Sequence, residues 1–413
     1  MASLMLGLDF CKSEVFVGLW AEEERCSKSF SVPKKSQGDH IPLYVVPLPD
    51  GTFLAGHEGL DYSISNRVNG VSILYGDGVR EKVTLGDREY DIRELLAGFL
   101  GDVLGTIKKY YGNAQIARLC ITGERMNPED RERITSALHI LGYTDSQFLI
   151  INHANAFLFY MVGAGEDRRK TKAATVDLDS AGACTYSYVP ADNRLGTPGY
   201  VRSDNADVIT RTNLEAIEDE EEKVKSFEGI INMTMTFVRP VSVLYVTGRS
   251  IADERIKNVL KGYASERMKI FSGQNLYSSG ACFRAAIENL EDKYITDGSI
   301  FHSISMEGYK DAVIDEVQLI PAGTPLSEAE HTISVIPDDT RELVFHVKDH
   351  RNGDRKSITF VMDDLEIKEN KTNRLQITVT FLDIFTMVIK VRDMGFGDIY
   401  PASFRVWEQI VKL

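Results

Sequence analysis

The sequence has few cysteines and no pattern among them. Cys11, Cys26, Cys120, Cys184 and Cys282 are odd in number, scattered, and never in a CxxC spacing. That spacing excludes a disulfide framework and a CxxC-type zinc site, and it fits buried thiols in a reducing compartment. Long hydrophobic runs are missing as well. The most apolar stretch, Phe148 to Gly165, is broken by Asn152, His153 and Asn155, so it would not span a bilayer. The N-terminus has no basic flank before Asp9 and does not read as a signal peptide. Positive charge is in deficit. A formal net charge of −14 leaves no basic face for nucleic-acid phosphates and disfavours anionic membranes. The expectation is a cytoplasmic protein with neither nucleic acid nor membrane as partner.

What is present is a chain of 413 residues, enough for two or three domains. The first third alternates strand and helix signals. Met5–Phe10, Val15–Trp20, Ile41–Val46, Ile116–Thr122 and Ser146–Ile151 read as strands. Helical periodicity runs from Ile92 to Tyr111, with Leu95, Phe99 and Val103 on one row. Asn127-Pro128-Glu129-Asp130 opens the next helix with a cap, a first-turn proline and acids against the dipole. Ala154–Met161 is again helical. Alternation of this kind implies an α/β layered architecture. In the middle, Ala173–Leu178 and Val241–Val246 are strands. Asn213 is placed to cap a long helix whose acidic start, Glu218–Glu222, reads as a solvated face. Gly280–Leu290 is the last helix. Beyond Asp292 the helical period vanishes and short strands with period-two alternation take over. The apolar run Phe381-Leu382-Asp383-Ile384-Phe385 predicts a turn covered by another part of the chain or by a partner.

Three strand ends carry the chemistry: "GLDFCKS", "TVDLDSAG" and "LYVTGRS". Two of them place an aspartate alike, Asp9 and Asp177. Facing hairpins of this type can hold a triphosphate, with backbone N–H groups on the oxygens and two carboxylates on a hydrated magnesium.

With these motifs in this order, the chain resembles the DnaK-type heat-shock chaperones of the actin-like ATPase superfamily. "GLDFCKSEVFVGLW" is similar to the first phosphate motif, "AATVDLDSAGACTYSYV" to the second, and "VLYVTGRSIADERIKNVL" to the adenosine motif. "LIINHANAFLFYM" and "LYSSGACFRAAI" resemble the connecting segments. "VQLIPAGTPLSEAE" and "RLQITVTFLDIFTMVIKVRD" resemble strands of the peptide-binding β-sandwich. The resemblance implies an actin-like α/β fold of duplicated ribonuclease-H-like lobes, 1–165 and a shortened 166–292, followed by an all-β sandwich at 300–413 without a helical lid. It implies nucleotide-binding roles for Asp9, Lys12, Ser13, Asp177, Asp179, Ser180, Gly182 and Gly248. Asp9 and Asp177 would reach a metal through water. ATP or ADP with magnesium is the one cofactor implied.

The departures decide the expected function. Cys11 stands where the family has glycine. Asp179 replaces the first glycine of the second motif; at about 4 Å from a phosphate it would repel it by roughly 4 kcal/mol. Lys12 would offset part of that. His153 takes the place of a catalytic glutamate, Ser72 that of a lysine, and Gly182 that of a threonine. The interval from Asp177 to Gly248 holds only a short sheet and one long helix, too little for a lobe over the adenine. No catalytic residue is assigned. The expected function is a chaperone-like protein with a degenerate nucleotide cleft. It would bind a polypeptide client or partner protein without efficient ATP hydrolysis. Two alternatives are an ATP-dependent chaperone with an unusual pocket and an actin-like assembly protein.

Overall fold

The computed structural model describes residues 3–11, 13–30, 40–72, 74–76, 78–124, 126–163, 165–178, 183–194, 196–203, 213–237, 241–266, 268–287, 294–310, 313–368 and 371–413. The chain divides into two compact units, Met1–Val189 with Val201–Glu288, and Pro190–Tyr200 with Asn289–Leu413.

The first unit is built from two sheets with the same core connectivity. In the first sheet, β1 (Ser3–Phe10) and β2 (Glu14–Ala21) form an antiparallel hairpin, extended by β3 (Cys26–Ser29) and by β4 (His40–Pro42). On its other side β1 pairs in parallel with β5 (Gln115–Gly123), and β5 with β6 (Phe148–Asn152). The second sheet repeats this. The hairpin is β7 (Ala173–Asp177) with β8 (Cys184–Val189), and β9 (Gly199–Ser203) lies beyond β8. The parallel neighbours of β7 are β10 (Val243–Thr247) and then β11 (Lys269–Ser272). Parallel strands need crossover connections, and helices supply them in both halves.

Sheet faces are covered by helices of matching character. Helix α1 (Gly56–Asn66) packs beside the small hairpin Val45–Pro47/Phe53–Ala55. Helices α2 (Ile92–Tyr110) and α3 (Pro128–Ile140) cover one face of the first sheet, burying Leu95, Phe99, Leu100 and Ile134 in its core. Asp91 and Asn127 cap these two helices by accepting from Arg93 N and Asp130 N. Helix α4 (His153–Gly163) is apolar nearly all round, and such a helix has to be interior. Helix α5 (Glu220–Phe237) and α6 (Glu254–Tyr263) cover the second sheet with Phe227, Ile231, Ile256 and Leu260. Helix α7 (Leu276–Ala286) returns to the first sheet, where Ala281 and Ala285 pack with Cys120.

Each half therefore lends a helix to the other. Helix α4 follows the first sheet yet sets Phe157 and Tyr160 edge-on to Tyr245 of the second. Helix α7 follows the second sheet and lies on β1 and β2. Glycines permit the approach. A Cβ on Gly280 would stand 1.8 Å from the Ala156 carbonyl oxygen, and one on Gly7 would stand 2.2 Å from Cys282 N. This exchange ties the expected lobe 1–165 and most of 166–292 into one compact unit; residues 190–200 and 289–292 of the second expected lobe fall in the other unit.

Three local expectations shift. The strand expected over Ile41–Val46 is two short strands, His40–Pro42 and Val45–Pro47, each in a different sheet. Asn213 does not cap the long helix. That helix starts at Glu220, and Asp219 accepts from Glu222 N instead. The last helix of the unit begins at Leu276, one turn earlier than its glycine suggested.

The second unit sets two four-stranded antiparallel sheets around one core. One sheet runs β13-β12-β15-β16, from β12 (His302–Lys310), β13 (Val313–Ile320), β15 (Glu342–Asp349) and β16 (Arg355–Val361). The other runs β14-β17-β18-β19, from β14 (Glu330–Val335), β17 (Leu375–Asp383), β18 (Thr386–Asp393) and β19 (Val406–Lys412). Alternate residues of both sheets meet inside, including Ile304, Phe345, Phe360, Ile377, Val379 and Ile389. The apolar turn is a two-residue connection between β17 and β18. Arg351 lies over the Phe385 ring at 5.2 Å and Phe385 O accepts from Leu413 N, while Leu382 stays exposed.

Candidate functional site

Asp9 is the last residue but one of β1 and Asp177 the last of β7, at the same place in the repeated pattern. The registers match: Asp9 lies opposite Thr122 of β5, and Asp177 lies opposite Thr247 of β10. A glycine follows each threonine. Gly248 has φ of +101°, and a Cβ there would stand 2.5 Å from the backbone of Leu178, so only glycine fits. The unit thus carries two copies of one device, an aspartate beside a Thr-Gly strand end.

Between the two aspartates stands His153, the first residue of α4. Its Nε2 lies 2.7 Å from Asp9 Oδ1 and its Nδ1 lies 3.4 Å from Asp177 Oδ2. The first contact is a short charge-assisted hydrogen bond, and the second is a longer ion-pair contact. The ring stacks on Tyr277 of α7, with centroids 3.9 Å apart and planes 9° from parallel. All four side chains are buried. Asn152 orients the helix start by accepting from Asn155 N. Burial opposes a charge on His153. The field of Asp9, the close Asp177 carboxyl and the hydrogen bond to Asp9 outweigh burial, and the pKa is pushed up to about 10. At neutral pH an imidazolium therefore bridges two carboxylates from the two halves of the duplication.

The second Asp9 oxygen, Oδ2, accepts from the Cys11 thiol at 3.7 Å. Cys11 N in turn donates to Glu14 O and closes the β1–β2 turn. The remaining space, lined by Asp9, Cys11, Asp177, Gly248, Gln274 and Tyr277 among others, has a volume of about 20 Å³. That holds about one water. The His153 ring occupies the place between the two carboxylates, where the resemblance would put a hydrated magnesium, so these side chains as arranged leave the metal no room between them. Among the described residues no group of three or more His, Cys, Asp or Glu side chains is arranged to hold a metal ion.

The structure brings Asp9, His153, Asp177 and Gly248 together. Ser13 is exposed in the turn, where its carbonyl accepts from Leu43 N, and Ser72 is exposed. Lys12, Asp179, Ser180 and Gly182 lie outside the described residues. Sequence reasoning missed Thr122, Gly123 and Tyr277. A signal for the first two was present: Ile121-Thr122-Gly123 and Val246-Thr247-Gly248 are nearly the same tripeptide.

Residues 27–298 match the C-terminal part of a family of unknown function (DUF5716), and residues 299–413 match a domain of unknown function (DUF8552). The chain belongs to the DUF5716 family. No curated protein matches it. His153, Asp177 and Tyr277 lie inside the first match, and Asp9 precedes it. Among the described residues no helix is long and apolar enough to cross a membrane.

Proposed function

We propose that the chain is a polypeptide-binding, chaperone-like protein on a degenerate actin-like ATPase fold, working in the cytoplasm without efficient ATP hydrolysis. One observation carries this reading: the His153 imidazolium bridges Asp9 and Asp177, the carboxylates that a magnesium-nucleotide would need. The repeated sheet, with an aspartate closing the first strand of each copy, supports the ancestry. The second unit, two sheets around one core, supports the binding half of the reading, though fold alone assigns no client. Cys26, Cys120 and Cys282 stand as thiols, which accords with a reducing compartment.

Calorimetric titration with magnesium-ATP, paired with a phosphate-release assay, tests the first half. The expected result is neither binding in the micromolar range nor turnover. Micromolar binding with steady phosphate release would replace this reading with an active ATPase. The second half is tested by light scattering of a reduced, unfolding protein. Delay of aggregation at near-stoichiometric chain is expected; no delay at excess removes the client-binding claim.

A further inference from the structure

The second unit carries a trough of about 720 Å³ on the face of the β13-β12-β15-β16 sheet that points away from the core. That volume lies in the range of ligand sites. Its lining is polar and its charges are sorted by sign. At one end Lys348 of β15 is directly opposite Arg355 of β16, with Ser303 of β12 on its other side. At the other end Glu307 of β12 is directly opposite Glu316 of β13. Like charges directly opposite on neighbouring strands are destabilising, and here there is one such pair of each sign on one face.

Neither cation has an ion-pair partner among the described residues. His350 also lines this end, with Nε2 2.9 Å from Ser303 Oγ. Burial first, and then the Lys348 charge, hold its pKa below the ordinary imidazole value. At the acidic end Glu316 accepts from Ser305 Oγ, and Glu307 lies 3.8 Å from His346 Nε2. Ser303 and Glu307 are four residues apart on one strand, so the two ends are about 13 Å apart along the strands; two strand spacings across the sheet, about 10 Å, bring the pair centres to about 16 Å.

We infer that this trough docks an extended polypeptide segment carrying an acidic and a basic side chain four residues apart. In an extended chain such residues share a face about 13 Å apart, the spacing of the two pairs along the strands, and the long lysine, arginine and glutamate side chains span the offset across the sheet. The acidic side chain would lie between Lys348 and Arg355, and the basic one between Glu307 and Glu316. The acidic side chain would relieve a like-charge pair that has no ion-pair partner among the described residues, and the basic one would add to the contacts that Ser305 and His346 already make with Glu316 and Glu307. The inference rests on the polypeptide-binding reading and gives its client a chemistry.

The test uses the full chain and a labelled nonapeptide, Gly-Gly-Asp-Ser-Ala-Ser-Lys-Gly-Gly, followed by fluorescence anisotropy at low salt. Binding is expected to weaken at least tenfold in the Lys348→Ser/Arg355→Ser double variant, and again when both charged residues of the peptide are replaced by serine. It should also weaken as salt screens the pairs. The double variant is expected to melt no lower than the parent, which separates a lost site from a lost fold. Equal affinity of parent and double variant overturns the inference. So does absence of peptide binding in a chain that still delays aggregation, and the polypeptide-binding reading then survives it. Failure of both assays removes both.

Discussion

In the cleft of the first unit the charges alternate in sign. Asp9, His153 and Asp177 are buried, in contact, and leave room for about one water. On the outer sheet of the second unit like charges stand side by side, Lys348 with Arg355 and Glu307 with Glu316, around an open trough. The cleft satisfies its own electrostatics and so has little to offer a ligand. The trough leaves its two cations without an ion-pair partner among the described residues, and its two acids are met only by Ser305 and His346. A closed cluster and an open face can thus be told apart by their charge pattern.

The largest test of this contrast removes the central charge of the cleft. His153→Ala leaves two buried carboxylates facing each other, and unfolding by denaturant should show a loss of about 3–5 kcal/mol. A loss below about 1 kcal/mol would mean that the bridge is not structural. The proton on His153 gives the same test without mutation. Its folded pKa, near 10, lies above the unfolded value of 6.5, so its contribution is complete below about 6.5, falls as pH rises, and is gone above about 10. Denaturation midpoints at pH 6, 8 and 10 should decline more steeply for the parent than for His153→Gln; parallel profiles would contradict the assignment. Next in size is the helix crossing that holds the ring in place. Gly280→Ala drives a methyl into the Ala156 carbonyl and should cost about 1–3 kcal/mol or more. Gly105→Ala in α2, with open space around it, should instead gain about 0.5–1 kcal/mol. The smallest effect belongs to the trough. Lys348→Ser should raise stability by about 0.2–1 kcal/mol by ending a like-charge contact. A loss of similar size would show that Lys348 already has a partner within the chain.

Much of the frame was legible because it is local. Periodicity placed α2, caps placed α3, and the apolar runs placed the strands that end in Asp9 and Asp177. The bridge was not legible in the same way. Asp9 and His153 are 144 positions apart, and the segment around His153 reads as an apolar helix that gives no hint of a charge. Sequence put His153 at the cleft; only the packing of α4 and α7 turned its two nitrogens onto two carboxylates. The start of α5 was misplaced because Asn213 and Asp219 are both competent caps, and propensity alone does not choose between them. The Lys348–Arg355 pair is a different case. Asn352-Gly353 is a strong turn signal, but counting outward from it sets Lys348 opposite Ser357; the turn is centred one residue earlier, with Asp349 N donating to Asp354 O, and only that register sets the two cations opposite each other.

The glycine face of the first hairpin has a consequence in time. Gly7 and Gly18 are shaped to receive the backbone of α7, and the Cys282 thiol reaches the Met5 carbonyl across 277 positions of chain. A ribosome adding about 5–20 residues per second needs roughly 14–55 s to travel that distance. Throughout that interval the β1–β2 hairpin lacks the helix that covers it. A nascent chain stalled before Leu276 should be cut readily by protease within β1 and β2, whereas one stalled well beyond Ala286 should resist. The order of synthesis leaves β1 and β2 unsealed until nearly the whole first unit has been made.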